Sequence, residues 1–410
     1  MSDFMQLALS LIIIITTAKL AGYLSYRLGQ PSVLGELIVG IILGPSMLNL
    51  LHIPVFTDLH LEVTIHHLAE IGVLLLMFLA GLDLHINDLM ESSKVAGLSG
   101  VAGMLLPLGL GALTGILFSI ETTQAIFIGL ILSATSVSIS AQTLMELQVL
   151  RSRVGVSLLG AAVFDDVLVL LGLSIFTALV TPSSSLGVAT ILLIVLKLLL
   201  FLVIASLVGI FVLPKLSDLV GKLPISQGLI SFTFIIILIY GWTAEALGNI
   251  AAITGAFLAG IWFSRTSLKD QIHKGISAIA YGIFVPVFFI NIGLSANARE
   301  LSLESGLLLV VMIVVAVVGK VLGSGSGAYL GGLNKREALQ LGIGMTSRGE
   351  VGLIVAAIGI EMGLIERDIF SAIVGVVIIT TLITPPLLRL AFRQGSKKEA
   401  IVHTEAQNDE

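Results

Sequence analysis

Uninterrupted apolar stretches, each about twenty residues long, recur from one end of this 410-residue chain to the other. No water-soluble fold can bury so many. Only 11% of the residues are charged against 56% hydrophobic, where an ordinary soluble domain carries roughly 25% charged residues. So few charges cannot cover a soluble surface, and lipid has to cover part of it. An all-α polytopic membrane protein is the expected class, because a helix satisfies its own backbone hydrogen bonds inside a bilayer. Cysteine is absent, which excludes disulfides, thiol catalysis and thiolate metal sites. The apolar run from Leu7 to Leu20 follows Asp3 rather than a basic segment, so a cleaved signal peptide is not expected.

Stretches able to cross ~30 Å of hydrocarbon can be drawn at 5–26, 33–51, 64–82, 95–118, 122–146, 152–181, 186–213, 225–246, 248–264, 272–296, 302–331, 337–361 and 368–392. About thirteen transmembrane helices are thus expected, with the termini on opposite sides. The cations test that topology. With the N-terminus outside and the C-terminus cytoplasmic, only Arg299 and Arg367 of the 21 Lys and Arg residues fall in outside loops. Lys19, Lys197, Lys320 and Arg348 fall within spans, and all the rest are cytoplasmic, as the positive-inside rule requires. The tail at 393–410 is polar, and no phosphate-cradling GxxxxGK[ST] loop occurs. Transport energy is therefore expected from an ion gradient rather than ATP.

The two halves echo each other. Residues Gly35 to Gly44 resemble Ala252 to Gly260, and Gly72 to Leu82 resemble Gly282 to Leu294, at a common offset. The topology runs the paired spans in opposite directions, so the expectation is two inverted six-helix repeats joined by a linker helix at 186–213. Inverted-repeat transporters place ion sites where interrupted helices from each half meet near the midplane. Two segments suit that role. One is the hydroxyl-rich run from Ser133 to Thr143, with Thr135 and Ser136; the other is Gly342 to Gly352, with Arg348 and Glu350. Small-residue packing alone would explain the first, but not two charges in the second.

Twelve residues separate the interfacial Arg153 from Asp165, about 18 Å of helix, so Asp165 and Asp166 both lie at mid-bilayer. One carboxylate at that depth costs ~2.5–3.5 kcal/mol and is by default functional. Consecutive helical residues point about 100° apart, so one acid can face a cavity while the other faces a neighbouring helix. Lys320, about fifteen residues from interfacial Lys335, has the matching depth to pair with one of them; snorkelling from there needs too long a reach. Snorkelling suits Lys19 better.

Phe164-Asp165-Asp166, Lys320 and the string from Thr346 to Val355 together resemble the bacterial monovalent cation:proton antiporter family, in the branch of sodium/proton antiporters and Kef-type potassium efflux transporters. Gly35-Glu36-Leu37 with Gly44-Pro45 matches the same branch. The resemblance implies a homodimer in a bacterial inner membrane, a dimerisation part at 5–82 and 225–296, and a mobile core at 95–181 and 302–392 that moves like an elevator. It assigns cation and proton binding to Asp166, pairing with Lys320 to Asp165, and the crossing site to the two interrupted helices. Kef-type members usually carry one acid after Gln and often a nucleotide-binding domain. Neither feature is found here, which favours Na⁺ or Li⁺ over K⁺ as the ion exchanged for protons. Members with two adjacent acids are typically electrogenic.

Asp166, the hydroxyls of Thr135 and Ser136, freed carbonyls and water would together suit a dehydrated Na⁺, whereas a proton needs only Asp166. Arg348 and Glu350 are expected to neutralise each other and the half-helix dipoles. No enzymatic role, cofactor or nucleic-acid partner is expected. A K⁺/H⁺ antiporter of the same fold is the alternative, with a sodium-coupled organic-solute symporter behind it; a channel is disfavoured because nothing resembles a selectivity filter. His52, His60, His66 and His67 read as solvated loop residues, and Asp83, Asp88 and Glu91 as an interfacial cluster. Glu36 suits the first turn of a helix after Ser32. Glu70 and Lys197 receive no role.

Overall fold

The computed structural model describes residues 1–410 except 85, 181–187, 249, 296–298, 300–305 and 409–410. Side chains at 86, 170, 174, 177–180, 188–192, 194–195, 350, 354, 357, 361, 367 and 394–408 also lie outside the description. Among the described residues there is no strand.

The helices run in chain order as α1 (Asp3–Arg27), α2 (Ser32–Leu43), α3 (Leu61–Asp83), α4 (Ile86–Glu91), α5 (Ser93–Leu117) and α6 (Thr122–Ser133). There follow α7 (Val137–Glu146), α8 (Arg153–Val180), α9 (Val188–Phe211), α10 (Leu213–Gly221), α11 (Gly228–Ala246) and α12 (Ala252–Phe263). The chain closes with α13 (Lys269–Ile279), α14 (Val285–Leu294), α15 (Gly306–Gly331), α16 (Lys335–Gly344), α17 (Glu350–Glu361) and α18 (Arg367–Asn408). Local signals set several ends. The Ser2 hydroxyl accepts from Met5 N at α1, and Asn334 and Glu337 form a capping box that opens α16.

Among the described residues, nine helical segments are long and apolar enough to cross a membrane, or ten if α9 and α10, which meet at 41°, count as one span. Each stretch drawn from the sequence holds helix, but α2, α12 and α17 are short. A twelve-residue helix such as α2 rises only about 18 Å, so the stretch at 33–51 is not one continuous span; its second half is turn and a 3₁₀ segment at Leu50–His52. The stretch at 272–296 is α13 and α14 joined through a π-helical turn at Ala280–Phe284.

Two sets of helices pack mainly within themselves. One contains α5, α6, α8, α15, α16 and α18; the other contains α1, α2, α3, α11, α12 and α14. Helix α7 touches both, lying on α8 and α18 and also on α3 and α2. A row of small residues on α15 draws the first set together. A Cβ on Gly323 would lie 2.6 Å from the Ala102 carbonyl oxygen, and one on Gly327 would lie 2.3 Å from that of Leu98. Only glycine permits this backbone-to-backbone approach of α15 to α5, and it fixes α15, with Lys320, beside α5 and α8.

Candidate functional site

Both segments read as interrupted are interrupted. Between α6 and α7 the chain is extended at Ala134 (φ −61°, ψ 142°) and Ser136 (φ −99°, ψ 111°). Between α16 and α17 it is non-helical from Met345 to Gly349. The breaks meet: Ser136 N donates to the Ser347 carbonyl at 2.9 Å, and the Ser140 hydroxyl donates to the Gly344 carbonyl. A Cβ on Gly349 would stand 2.6 Å from Ser136 Oγ, so the crossing has no room for a side chain there. Freed backbone groups inside a membrane need such internal partners.

Asp165, fully buried on α8, sits at the edge of this crossing. Lys320 Nζ donates to its Oδ1 at 2.7 Å, and Thr135 Oγ1 donates to its Oδ2 at 2.6 Å. Both carboxylate oxygens are thus engaged, one by a buried ammonium and one by the first break. Asp166, next on the same helix, is 5% exposed and within electrostatic reach of Lys320. Thr135, predicted among the cation ligands, donates its hydroxyl hydrogen to Asp165 and keeps its oxygen lone pairs available. Ser136 shares a hydrogen bond with Ser138 Oγ at 3.1 Å.

Arg348 is also fully buried. Its guanidinium donates to the carbonyls of Ala316 (2.9 Å), Met345 (3.3 Å) and Thr346 (3.4 Å). It therefore caps the end of α16 and ties the second break to α15, one turn before Lys320. From the other side α18 supplies hydroxyls. Thr380 Oγ1 accepts from Arg348 N at 3.3 Å, Thr381 Oγ1 donates to the Arg348 carbonyl at 2.6 Å, and Thr384 Oγ1 lies 3.0 Å from Thr346 Oγ1. The Glu350 side chain, expected to neutralise Arg348, lies outside the described residues. The sequence reading included Ser138 and Ser140 in the first interrupted run without giving them a role, and it missed Thr380, Thr381 and Thr384. The threonine row in an otherwise apolar last helix was the available signal. The Ser347 hydroxyl is buried and makes no hydrogen bond among the described residues.

Other sequence readings change. Lys19 does not snorkel freely: its ammonium donates at 2.6 Å to the Tyr281 carbonyl in the π-helical turn. His66 and His67 lie in the second turn of α3 rather than in a loop. Glu70 is exposed, with His66 Nε2 at 3.6 Å, and Lys197 is exposed on α9. Asp83 receives Arg151 Nη2 at 2.8 Å. Among the described residues no cluster of three or more His, Asp or Glu suits a resident metal. A cavity of about 650 Å³, lined by Asp83, Gln142, Met145, Glu146, His273 and Tyr281 among others, opens at the end of the bundle that carries Arg151 and Lys269. It reaches α7 below the first break.

The comparisons with known proteins bear on this arrangement. The family model for the sodium/hydrogen exchanger transmembrane region matches residues 12–393. The Na(+)/H(+)-K(+) antiporter GerN of Bacillus cereus is 39% identical, over 97% of this chain and 98% of its own length. A Na(+)/H(+) antiporter of Enterococcus hirae is 37% identical, over 93% of this chain and 96% of its own. The solved structure of the sodium proton antiporter MjNhaP1 from Methanocaldococcus jannaschii superposes with a TM-score of 0.70 at 16% identity, covering 96% of this chain and 97% of that one. This last likeness is one of fold.

Proposed function

The chain belongs to the sodium/hydrogen exchanger family, and from that premise we propose that it is a secondary antiporter exchanging cytoplasmic Na⁺ or Li⁺ for external protons. The observation that carries the reading is the division of labour on α8. Asp165 is saturated by Lys320 and Thr135, which leaves Asp166 as the carboxylate that turns over. A cation or a proton neutralises it equally, and each lets the site cross the bilayer, while a bare charge is penalised. Obligatory exchange follows from competition at one group.

In this reading the thirteen stretches drawn from the sequence are the membrane spans, forming two inverted repeats joined by the linker at 186–213, in a bacterial inner membrane with the N-terminus outside and the C-terminus cytoplasmic. The helix set around α8 and α15 is the moving core, sliding like an elevator against the set around α3 and α12, which forms a homodimer. Arg348 and the two breaks hold the core rigid around Asp166, and Glu350 is assigned to the crossing with them. No chemistry is performed on the cargo. Exchange is electrogenic: when Na⁺ binding at Asp166 loosens the neighbouring pair, Lys320 releases a proton and recaptures one on the return. GerN is named for K⁺ as well as Na⁺, so K⁺ is the alternative cation.

Proteoliposomes with an internal pH dye test the reading. Na⁺ or Li⁺ gradients alone should move protons, and Asp166→Asn should abolish that movement while the protein stays folded; substantial exchange in the variant would remove Asp166 from its role. Under a potassium–valinomycin clamp the reversal point should depart from equal Na⁺ and H⁺ gradients. If flux vanishes wherever those gradients balance, at every voltage, Asp165–Lys320 is a static strut and exchange is one for one.

A further inference from the structure

A hydroxyl inside a helix ordinarily donates to a carbonyl one turn back, and several here do. Thr114 bonds the Leu110 carbonyl at 2.8 Å, Ser133 that of Leu130 at 2.6 Å, and Ser326 of α15 that of Gly323 at 2.9 Å. Ser324, two residues earlier on α15, does not. Its side chain is fully buried and its Oγ has no hydrogen-bond partner among the described residues; the same is true of Ser99 on α5. A buried hydroxyl without a partner costs stability and calls for a reason.

Both hydroxyls lie beside the Lys320–Asp165 pair. Ser324 follows Lys320 by four residues, so the two share one face of α15, a turn apart. Opposite them α5 presents glycine at positions 100 and 103. A Cβ on Gly103 would stand 2.1 Å from Ser324 Oγ, and one on Gly100 would stand 3.5 Å from the backbone nitrogen of Asp165. Ser324 and Asp165 thus rest on adjacent turns of α5. Ser99 continues the strip, with its Cα 2.7 Å from where a Cβ on Gly327 would lie. Lys320 Nζ makes one hydrogen bond among the described residues, to Asp165 Oδ1, although an ammonium carries three donors.

We propose that Ser324, with Ser99 behind it, is a second seat for the Lys320 side chain, taken when the lysine leaves Asp165. The long, flexible stem of a lysine suits such a change of partner. A carboxylate serves only the ammonium. A hydroxyl serves both protonation forms, because it accepts from an ammonium and donates to the lone pair of a neutral amine. When Na⁺ at Asp166 loosens the pair, Lys320 moves to Ser324 and gives up one proton, and the hydroxyl then holds the amine as a donor. On the return one proton adds to the nitrogen, and the ammonium goes back to Asp165. The hydroxyls are unpartnered with Lys320 on Asp165 because they are kept for the other position. The change of seat during exchange rests on the proposed function; the seat itself does not.

Melting of the purified protein in detergent reads the seat without transport. In the native chain Ser324→Ala should leave the melting temperature unchanged or raise it, since it removes an unpartnered group. In Asp165→Asn, whose neutral amide no longer holds the ammonium by charge, adding Ser324→Ala should lower it by several degrees. An equal effect in the two backgrounds overturns the proposal. In proteoliposomes Ser324→Ala should cut the maximal rate of Na⁺-driven proton movement several-fold without changing the apparent affinity for Na⁺, while Ser326→Ala keeps the native rate. Native kinetics in Ser324→Ala also overturn it, and this comparison decides if Asp165→Asn does not fold. Absence of exchange in the native protein would sink the antiport reading and leave the melting comparison to decide the seat.

Discussion

The two interrupted helices face the same problem and solve it differently. At the first break, between α6 and α7, the Ser136 amide bonds the Ser347 carbonyl across the crossing, and the side chains involved are neutral hydroxyls. Thr135 donates to Asp165, Ser136 pairs with Ser138, and Ser140 bonds the opposite strand of the crossing. At the second, between α16 and α17, a buried guanidinium gathers three carbonyls, and threonines of α18 close around its backbone. A cation at one crossing and none at the other gives the site an asymmetric field. The positive charges of Arg348 and Lys320 both act on Asp165, while the first break contributes only the Thr135 hydroxyl to it. Asp165, held by the Lys320 ammonium and the Thr135 hydroxyl, is the fixed member of the acid pair.

If that contrast is right, the second break should be the more fragile. Arg348→Met removes the donor of several buried carbonyls and leaves Asp165 with one cation. A loss on the order of 3–5 kcal/mol is expected, seen as a large fall in detergent melting temperature. A drop no bigger than that of a surface substitution would mean that the carbonyls find other donors. At the first break, Thr135→Val deletes a hydrogen bond to a charged group, worth about 1.5–3 kcal/mol. It should also weaken Na⁺ exchange by disturbing Asp165 rather than by stripping a ligand from the ion. The apparent affinity for Na⁺ would then change little while the maximal rate falls; the reverse pattern would return Thr135 to the ion's own shell. The smallest effect belongs to Thr381→Val, which removes one neutral hydrogen bond to the Arg348 carbonyl, about 0.5–1.5 kcal/mol. Its loss should add to that of Arg348→Met less than independently, since both act on one backbone segment; strict additivity would separate α18 from the clamp.

Much of this site was legible beforehand, and the reason is that depth is written in the sequence. A helix rises 1.5 Å per residue, so counting from Arg153 and Lys335 put Asp165, Asp166 and Lys320 at one level before any packing was known. The breaks were visible for a similar reason. Runs of Ser, Thr and Gly, or a charged string such as Ser347 to Glu350, have no economical place in an unbroken lipid-facing helix. Less visible were the helices that stop short. Residues 33–51 are apolar throughout most of their length, yet α2 ends at Leu43, because hydrophobicity records what lipid or protein tolerates and not where the chain turns.

Azimuth and partner choice came only with the tertiary structure. Adjacent acids point about 100° apart, but which of them meets Lys320 depends on how α8 is rotated against α15, and that rotation is set by where glycines let α15 press on α5. The same holds for Thr135, which serves Asp165, for Lys19, which found a carbonyl in a π-helical turn, and for Glu146, which caps a helix it does not belong to. Each of these contacts joins residues far apart in the chain through one or two short hydrogen bonds. One-dimensional spacing carries no information about them, because a half-ångström change in helix packing makes or breaks such a bond while leaving every residue at the same depth. The sequence by itself determined the membrane class, the level of the charges and the places where helices must break; the tertiary structure decided which charge answers to which.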